Sequence, residues 1–155
     1  TQALRQLPGA LSGLIVGANT TITDSTTVLS RFDRPSNKLL SREVALPGQS
    51  DRVVNLVLGY EAGPWSARVA SNSKSRYLLQ TGSDVVDASQ DAWVDGQKQI
   101  DLSVKYQINK STLLSFEGLN LNKEKYYVYL GNQKYNVQNE QYGRTFRISL
   151  TMTQF

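Results

Sequence analysis

The segment KQIDLSVKYQI constrains this chain more than any other. Ile100, Leu102, Val104, Tyr106 and Ile108 occupy alternate positions, with Asp101, Ser103, Lys105 and Gln107 between them. A period of two describes a strand with one apolar and one polar face, and no helix satisfies it. The pattern recurs. RVVNLVLGYE sets Val54, Leu56, Leu58 and Tyr60 on one side, and WSARVASNSKSRY does the same with Trp65, Ala67, Val69 and Tyr77. TLLSFEGLNL alternates through Leu114 and Phe116, then changes phase at Gly118, which predicts a bulge there. GRTFRISLTMTQF carries Phe146, Ile148, Leu150 and Met152, and LSGLIVGANTTITD is a weaker example. Six strands are expected, at about 11–23, 52–62, 65–78, 94–108, 111–123 and 142–155. Each needs a non-aqueous neighbour for its apolar side. A protein core and the hydrocarbon of a bilayer both meet that need.

The connections are unequal in a regular way. Long segments at about 24–51, 79–93 and 124–141 alternate with short turns at 62–64 and 109–110. Long loops at one end of a sheet and short ones at the other are the habit of outer-membrane barrels. Strands of about 10 to 15 residues suit a tilted crossing better than the five or six usual in soluble proteins. Tyr60, Trp65 and Tyr106 flank the short turns, while Tyr77, Trp93, Tyr126 and Tyr127 lie toward the long loops, as two interfacial belts would. A soluble β-sandwich binding module also alternates apolar and polar residues, and six strands suffice for one.

Composition removes several function classes. The 155 residues include no Cys and no His, so there is no disulfide framework, no thiolate or imidazole metal site and no Cys/His or Ser/His catalytic pair. No carboxylates are organised for acid–base work, and the chain reads as no enzyme, with no cofactor. The net charge of +4 is spread along the chain without a basic block, which argues against nucleic acid as a partner. No apolar run approaches the roughly 20 residues of a spanning helix; the longest is GLIVGA. If this chain crosses a membrane, it does so with strands.

The stretch LSFEGLNLNKEKYYVYLGN…EQYGRTFRISL, from Leu114 to Leu150, resembles the closing segment of TonB-dependent outer-membrane receptors. LPGALSGLIVGANTTITDS and LPGQSDRVVNLVLGYEAGPWSARVASNSKSRYL are similar to the preceding hairpins of that family. The resemblance implies an all-β fold in which residues 1–155 supply the last six antiparallel strands of a transmembrane β-barrel of about 22 strands. Six strands do not close a barrel. The plug domain and earlier strands would then lie elsewhere in the same receptor, with Thr1 to Arg5 ending the preceding strand and Phe155 closing the barrel. Phe155 is one residue out of step with Met152, Leu150 and Ile148, which sets it apart from the family's usual terminal aromatic. The implied function is multi-pass active transport in the outer membrane of a Gram-negative bacterium, energised by the inner-membrane TonB complex. A ferric siderophore leads as cargo by family frequency and oligosaccharide follows; a passive porin or adhesin barrel is the competing membrane reading.

In that geometry Leu56, Leu102, Val104, Ile148 and Leu150 face lipid. Arg68, Asn72, Asp101, Lys105, Glu117 and Arg147 face the lumen and plug, paired with one another and with plug groups. Contact with a small nutrient ligand is expected in the outer loops, at Tyr126, Tyr127, Tyr129, Asn132 and Tyr135, and at Arg31 and Arg34. Rings with amides suit sugars and catechols, and arginines suit anionic complexes. The alternative for the tyrosines is an extended hairpin with its own small core. Asp84, Asp87 and Asp91 lack the spacing and glycine of a calcium loop and read as solvated carboxylates.

Overall fold

A computed structural model describes residues 1–153 and shows an all-β chain of antiparallel sheets, none of them closed. Seven strands form the main sheet: β1 (Gln2–Ala3), β2 (Leu14–Ile22), β5 (Arg52–Ala62), β6 (Trp65–Lys74), β9 (Gln97–Asn109), β10 (Thr112–Leu119) and β13 (Thr145–Met152). They lie side by side in that order, a meander in which every neighbour is the next strand of the sheet along the chain. Six match the strands expected from alternation, and β1 adds a short edge at the amino-terminal side.

The three long connections are not structureless. The first holds the hairpin β3 (Thr26–Asp33) and β4 (Lys38–Ala45). The others contribute β7 (Tyr77–Gln80), β8 (Ala92–Val94), β11 (Lys125–Leu130) and β12 (Asn136–Gln141), which form a second sheet in the order β12-β11-β8-β7. The strand expected at 65–78 is therefore two. At Ser75 the backbone leaves the main ladder: its N–H donates to the Arg52 carbonyl at 2.9 Å and its Oγ accepts from the Arg52 N–H at 3.1 Å.

The short turns are fixed by local chemistry. Gly63 has φ of 55° at the first position of the two-residue turn joining β5 to β6, a left-handed conformation that costs glycine little. At the next turn Asn109 Oδ1 accepts from the Ser111 N–H at 2.9 Å, an Asx turn. The bulge expected at Gly118 is not there. Gly118 keeps its place in the ladder opposite Leu102 and Phe146, and the register shift falls between Thr112 and Leu113. The apolar phase changes because β10 ends at Leu119 and Leu121 folds back. A Cβ on Gly118 would meet Leu121 Cδ2 at 3.0 Å, so the glycine makes room for that side chain.

Burial is distributed in an unusual way. Leu78, Val85, Ala92, Val94, Val128, Tyr129 and Val44 are buried, and all belong to the long connections. The main sheet contributes Ile15 to the buried apolar set. Its apolar face is open: Leu58 is 57% and Ile148 74% exposed, with Leu56, Val69, Leu150 and Met152 exposed beside them. Exposing side chains of this size to water forgoes about 1.5–3 kcal/mol each. Ile100, Leu102, Val104, Tyr106 and Phe116 in the middle of the sheet are half-buried by their neighbours, and no other described element covers the face.

Candidate functional site

Strand register sorts the main sheet into two faces. Val16, Leu58, Val69, Leu102, Gly118 and Phe146 form one cross-strand row; Leu14, Tyr60, Ala67, Val104, Phe116 and Ile148 form the next. Leu56 and Leu150 share this face, so the five residues expected on the apolar side are together. Near the short turns the Trp65 and Tyr106 rings meet with centroids 4.4 Å apart, beside Tyr60. The second aromatic group is placed differently from a belt on this sheet. Tyr77, Trp93, Tyr126 and Tyr127 belong to the smaller sheet, where Tyr77 and Tyr126 pack on Ala92, Val94 and Val128.

The opposite face gathers Arg68, Asn72, Asp101, Lys105, Glu117 and Arg147. Arg68 pairs with Glu61 at 3.0 Å and Arg147 with Glu117 at 3.3 Å. Both pairs are well exposed and hold the sheet by little, about 0–1 kcal/mol each. A cavity of about 650 Å³ lies on this face, lined by both arginines' neighbourhood residues Glu61, Arg68, Asp101, Lys105 and Glu117. Above it runs a row that sequence reading missed. Asn19, Asn55, Asn72 and Gln99 stand side by side on four consecutive strands of the sheet. Asn55 Nδ2 donates to Asn19 Oδ1 at 2.8 Å, and Asn72 Nδ2 donates to Asn55 Oδ1. Gln99 Nε2 donates to both oxygens of Asp101, at 2.9 and 3.1 Å. Only the register brings these amides together, because they are spread over 81 positions of sequence (from 19 to 99 inclusive).

The asparagines of EGLNLN tie the third connection to the sheet. Asn120, with φ of 54°, donates its N–H to Asp101 Oδ1 at 2.8 Å and its Nδ2 to the Gly143 carbonyl at 2.8 Å, and accepts from the Glu124 N–H at 2.7 Å. Asn122 Oδ1 accepts from the Ile100 N–H at 3.0 Å. Beyond this junction a second cavity of about 430 Å³ opens, lined by Asn72, Gln99, Lys74, Tyr126 and Tyr142 among others.

The long connections form one body held at Asp91. Its carboxylate takes Arg42 Nη2 at 2.6 Å and the Gly82 N–H at 2.9 Å, and its carbonyl takes the Gly131 N–H at 2.9 Å. One residue thus links the first, second and third connections. Burial pushes the Asp91 carboxyl up, but the hydrogen bonds from Arg42 and Gly82 outweigh it and hold the group below its usual range. The expectation of solvated aspartates is corrected here: Asp91 is 2% exposed, and an unpaired charge would not stay there. Asp84 and Asp87 accept from the N–H groups of Val86 and Ser89, both at 2.8 Å, and shape their own turn.

The expected ligand contacts in the loops are dispersed. Tyr129 is 1% exposed in the core of the body, which removes it from the surface. Tyr127 donates its hydroxyl to the Gln133 carbonyl at 2.7 Å. Asn132 shapes the turn, its Oδ1 accepting from the Lys134 N–H at 3.0 Å, and Tyr135 is exposed away from the cavity that Tyr126 lines. Arg31 donates to the Ser83 carbonyl at 2.7 Å, while Arg34 sits exposed in the β3–β4 turn. Phe155 lies outside the described residues.

Comparison with protein-family models, with curated proteins and with solved structures finds no match for this chain.

Proposed function

We propose that this chain is the carboxy-terminal part of a large transmembrane barrel, about 22 strands in all, in an outer-membrane active transporter. It takes up a scarce nutrient with energy delivered by the inner-membrane TonB complex. The observation that carries this reading is the apolar face, continuous across six strands and open to its surroundings. Two further features support it. Short turns stand at one end of the sheet and a folded body of long connections at the other. The second face is polar and carries the ion pairs and amides suited to a water-filled or plug-filled interior. An open sheet edge in lipid leaves N–H and C=O groups unsatisfied at several kcal/mol each. The outer edges of β1 and β13 therefore pair with further strands of the same receptor, and its plug occupies the polar side. Family resemblance puts ferric siderophores first among cargoes and oligosaccharides next. The test is fractionation of cells that express the full-length protein. Recovery in the outer membrane, extractable only with detergent, is expected; recovery as a dispersed protein without detergent overturns the assignment.

A further inference from the structure

The two ends of the apolar face are finished differently. At the short-turn end Tyr60, Trp65 and Tyr106 supply the rings of an interfacial belt. At the end that carries the long connections the strands of the main sheet have no Tyr or Trp, and cations stand there instead. Among the described strand residues of this sheet, Arg52 and Lys98 are the only charged ones in step with the apolar rows. Arg52 is the first residue of β5 and Lys98 the second of β9. Arg144, just ahead of β13 and in step with Phe146 and Ile148, is a third cation at this end; its Nε donates to the Leu121 carbonyl at 2.8 Å. Since β5, β9 and β13 are alternate strands of the sheet, neighbouring cations start from backbones about 10 Å apart.

Arg52 and Lys98 share a recess. Ser73 of β6 lies between their strands, opposite Val54 on one side and Lys98 on the other. The recess, about 420 Å³, is also lined by Lys74 and Glu124, so three cations face one carboxylate. Among the described residues Arg52, Lys98 and Arg144 make no ion pair, and all three are exposed. Lys74 holds its ammonium over the Tyr77 ring, 5.2 Å from the centroid, and the Glu124 carboxylate accepts from Asn122 Nδ2 at 3.2 Å. On a lipid-facing strand such cations are tolerated at headgroup depth and costly in hydrocarbon, which matches their place at the strand ends. A guanidinium, an ammonium and a serine hydroxyl around one recess all donate, and phosphate oxygens accept from all three, the guanidinium fork in bidentate fashion. The apolar rows that begin at Val54 and Ile100 continue directly from the recess. A ligand matched to both parts joins phosphate to hydrocarbon. Cations on alternate strands further suit a headgroup with two separated phosphates, whereas a zwitterionic headgroup brings its own ammonium beside a single one.

We propose that the long-connection end of the apolar face binds the phosphates of an outer-leaflet glycolipid, lipid A, through Arg52, Lys98 and Ser73, with Arg144 reaching the second phosphate. The assignment rests on the outer-membrane reading above, in which the long connections point outward, and adds a lipid partner to it. Purified full-length protein in detergent is titrated with bisphosphorylated lipid A, with the same lipid stripped of its phosphates, with phosphatidylethanolamine and with inorganic phosphate, and the bound species are counted by native mass spectrometry. Bisphosphorylated lipid A binds most tightly. Arg52→Gln and Lys98→Gln each weaken it about fivefold and together about 25-fold, the loss expected for one interfacial cation each. Arg52→Lys, which keeps the charge, loses less than Arg52→Gln, and Lys105→Gln, on the opposite face of β9, leaves the affinity unchanged. Equal binding of the phosphate-free lipid or of phosphatidylethanolamine overturns the proposal, and so does lipid A binding indifferent to both glutamine variants. Inorganic phosphate that binds as tightly as lipid A assigns the recess to the free ion and overturns the lipid. A protein recovered in the outer membrane by the fractionation above, yet without preference for lipid A, refutes this proposal alone; a protein absent from that fraction refutes the transporter reading with it.

Discussion

Replacing Ile148 by arginine separates the two solvents that an apolar sheet face can have. Ile148 is the fourth of eight residues in β13, opposite Phe116, and is 74% exposed. It has so little packing that truncation leaves no cavity, and a polar substitution at such a position in water stays within about 0.5 kcal/mol. In hydrocarbon the same change places a guanidinium at mid-strand on the lipid side, at a cost of about 2–4 kcal/mol. The unfolding equilibrium then shifts by about thirtyfold to several hundredfold. The measurement is a urea titration of the full-length protein folded into phosphatidylcholine vesicles, wild type against Ile148→Arg. Thr151→Arg provides the control, because Thr151 is exposed on the opposite face of the same strand and should change stability by under about 0.5 kcal/mol. Equal effects of the two arginines refute the assignment of faces. A negligible effect of both refutes lipid as the solvent of either.

The body of long connections makes three further outcomes testable. Asp91→Ala strands Arg42 and leaves the Gly82 N–H without its acceptor; because the Arg42 side chain is itself 18% exposed and partly hydrated, the lower end of the buried-pair range applies, about 3 kcal/mol of local opening. Hydrogen exchange of amides in β4 and β8 should then quicken about 100-fold with β9 unaffected, and unchanged exchange would remove Asp91 from this role. The pH dependence has a definite sign. The folded carboxyl titrates below its unfolded value, so its contribution is complete above the unfolded pKa of about 3.9 and fades as pH falls through the folded one. Protection of the same amides in the wild type should hold at neutral pH and decline only in strong acid, a decline absent from Asp91→Ala. Gly131→Ala attacks the same body from the other side: φ is 55° and a Cβ would stand 2.5 Å from the Ser89 carbonyl oxygen, so a loss above about 1 kcal/mol in the same exchange experiment is expected.

What the sequence made legible was whatever has a local period. Alternation located β2, β5, β6, β9, β10 and β13 and separated Leu102 and Val104 from Asp101 and Lys105, because each side chain's face follows from its parity alone. Gly118 shows where that logic stops. Its phase change looks the same whether a ladder bulges or a strand ends and the next leucine folds back, and only the position of Leu121 decides between them. The long connections were harder for a different reason. Tyr129 lies in YYVYL, where both faces of the strand carry rings or branched chains, and Asp91 follows the polar run ASQ, so parity marks neither as buried; their burial comes from segments distant in sequence, with Trp93 opposite Tyr129 and Arg42 meeting Asp91 across 49 positions.

The amide row is the extreme case of this non-local information. Asn19, Asn55, Asn72 and Gln99 are unremarkable one at a time, each an ordinary residue for the polar side of a strand. They become a track when four registers agree, and a slip of one residue in any strand would turn its member to the apolar face. The apolar face fixes those registers: wherever Leu58 must stand beside Val69 and Leu102, Asn55 must stand beside Asn72 and Gln99. Contacts that satisfy the surroundings on one side of the sheet therefore place the amide row on the other. A substitution that shifts β6 against β9 should break the amide row and disturb the apolar face together, whereas Asn72→Ala should touch the row alone.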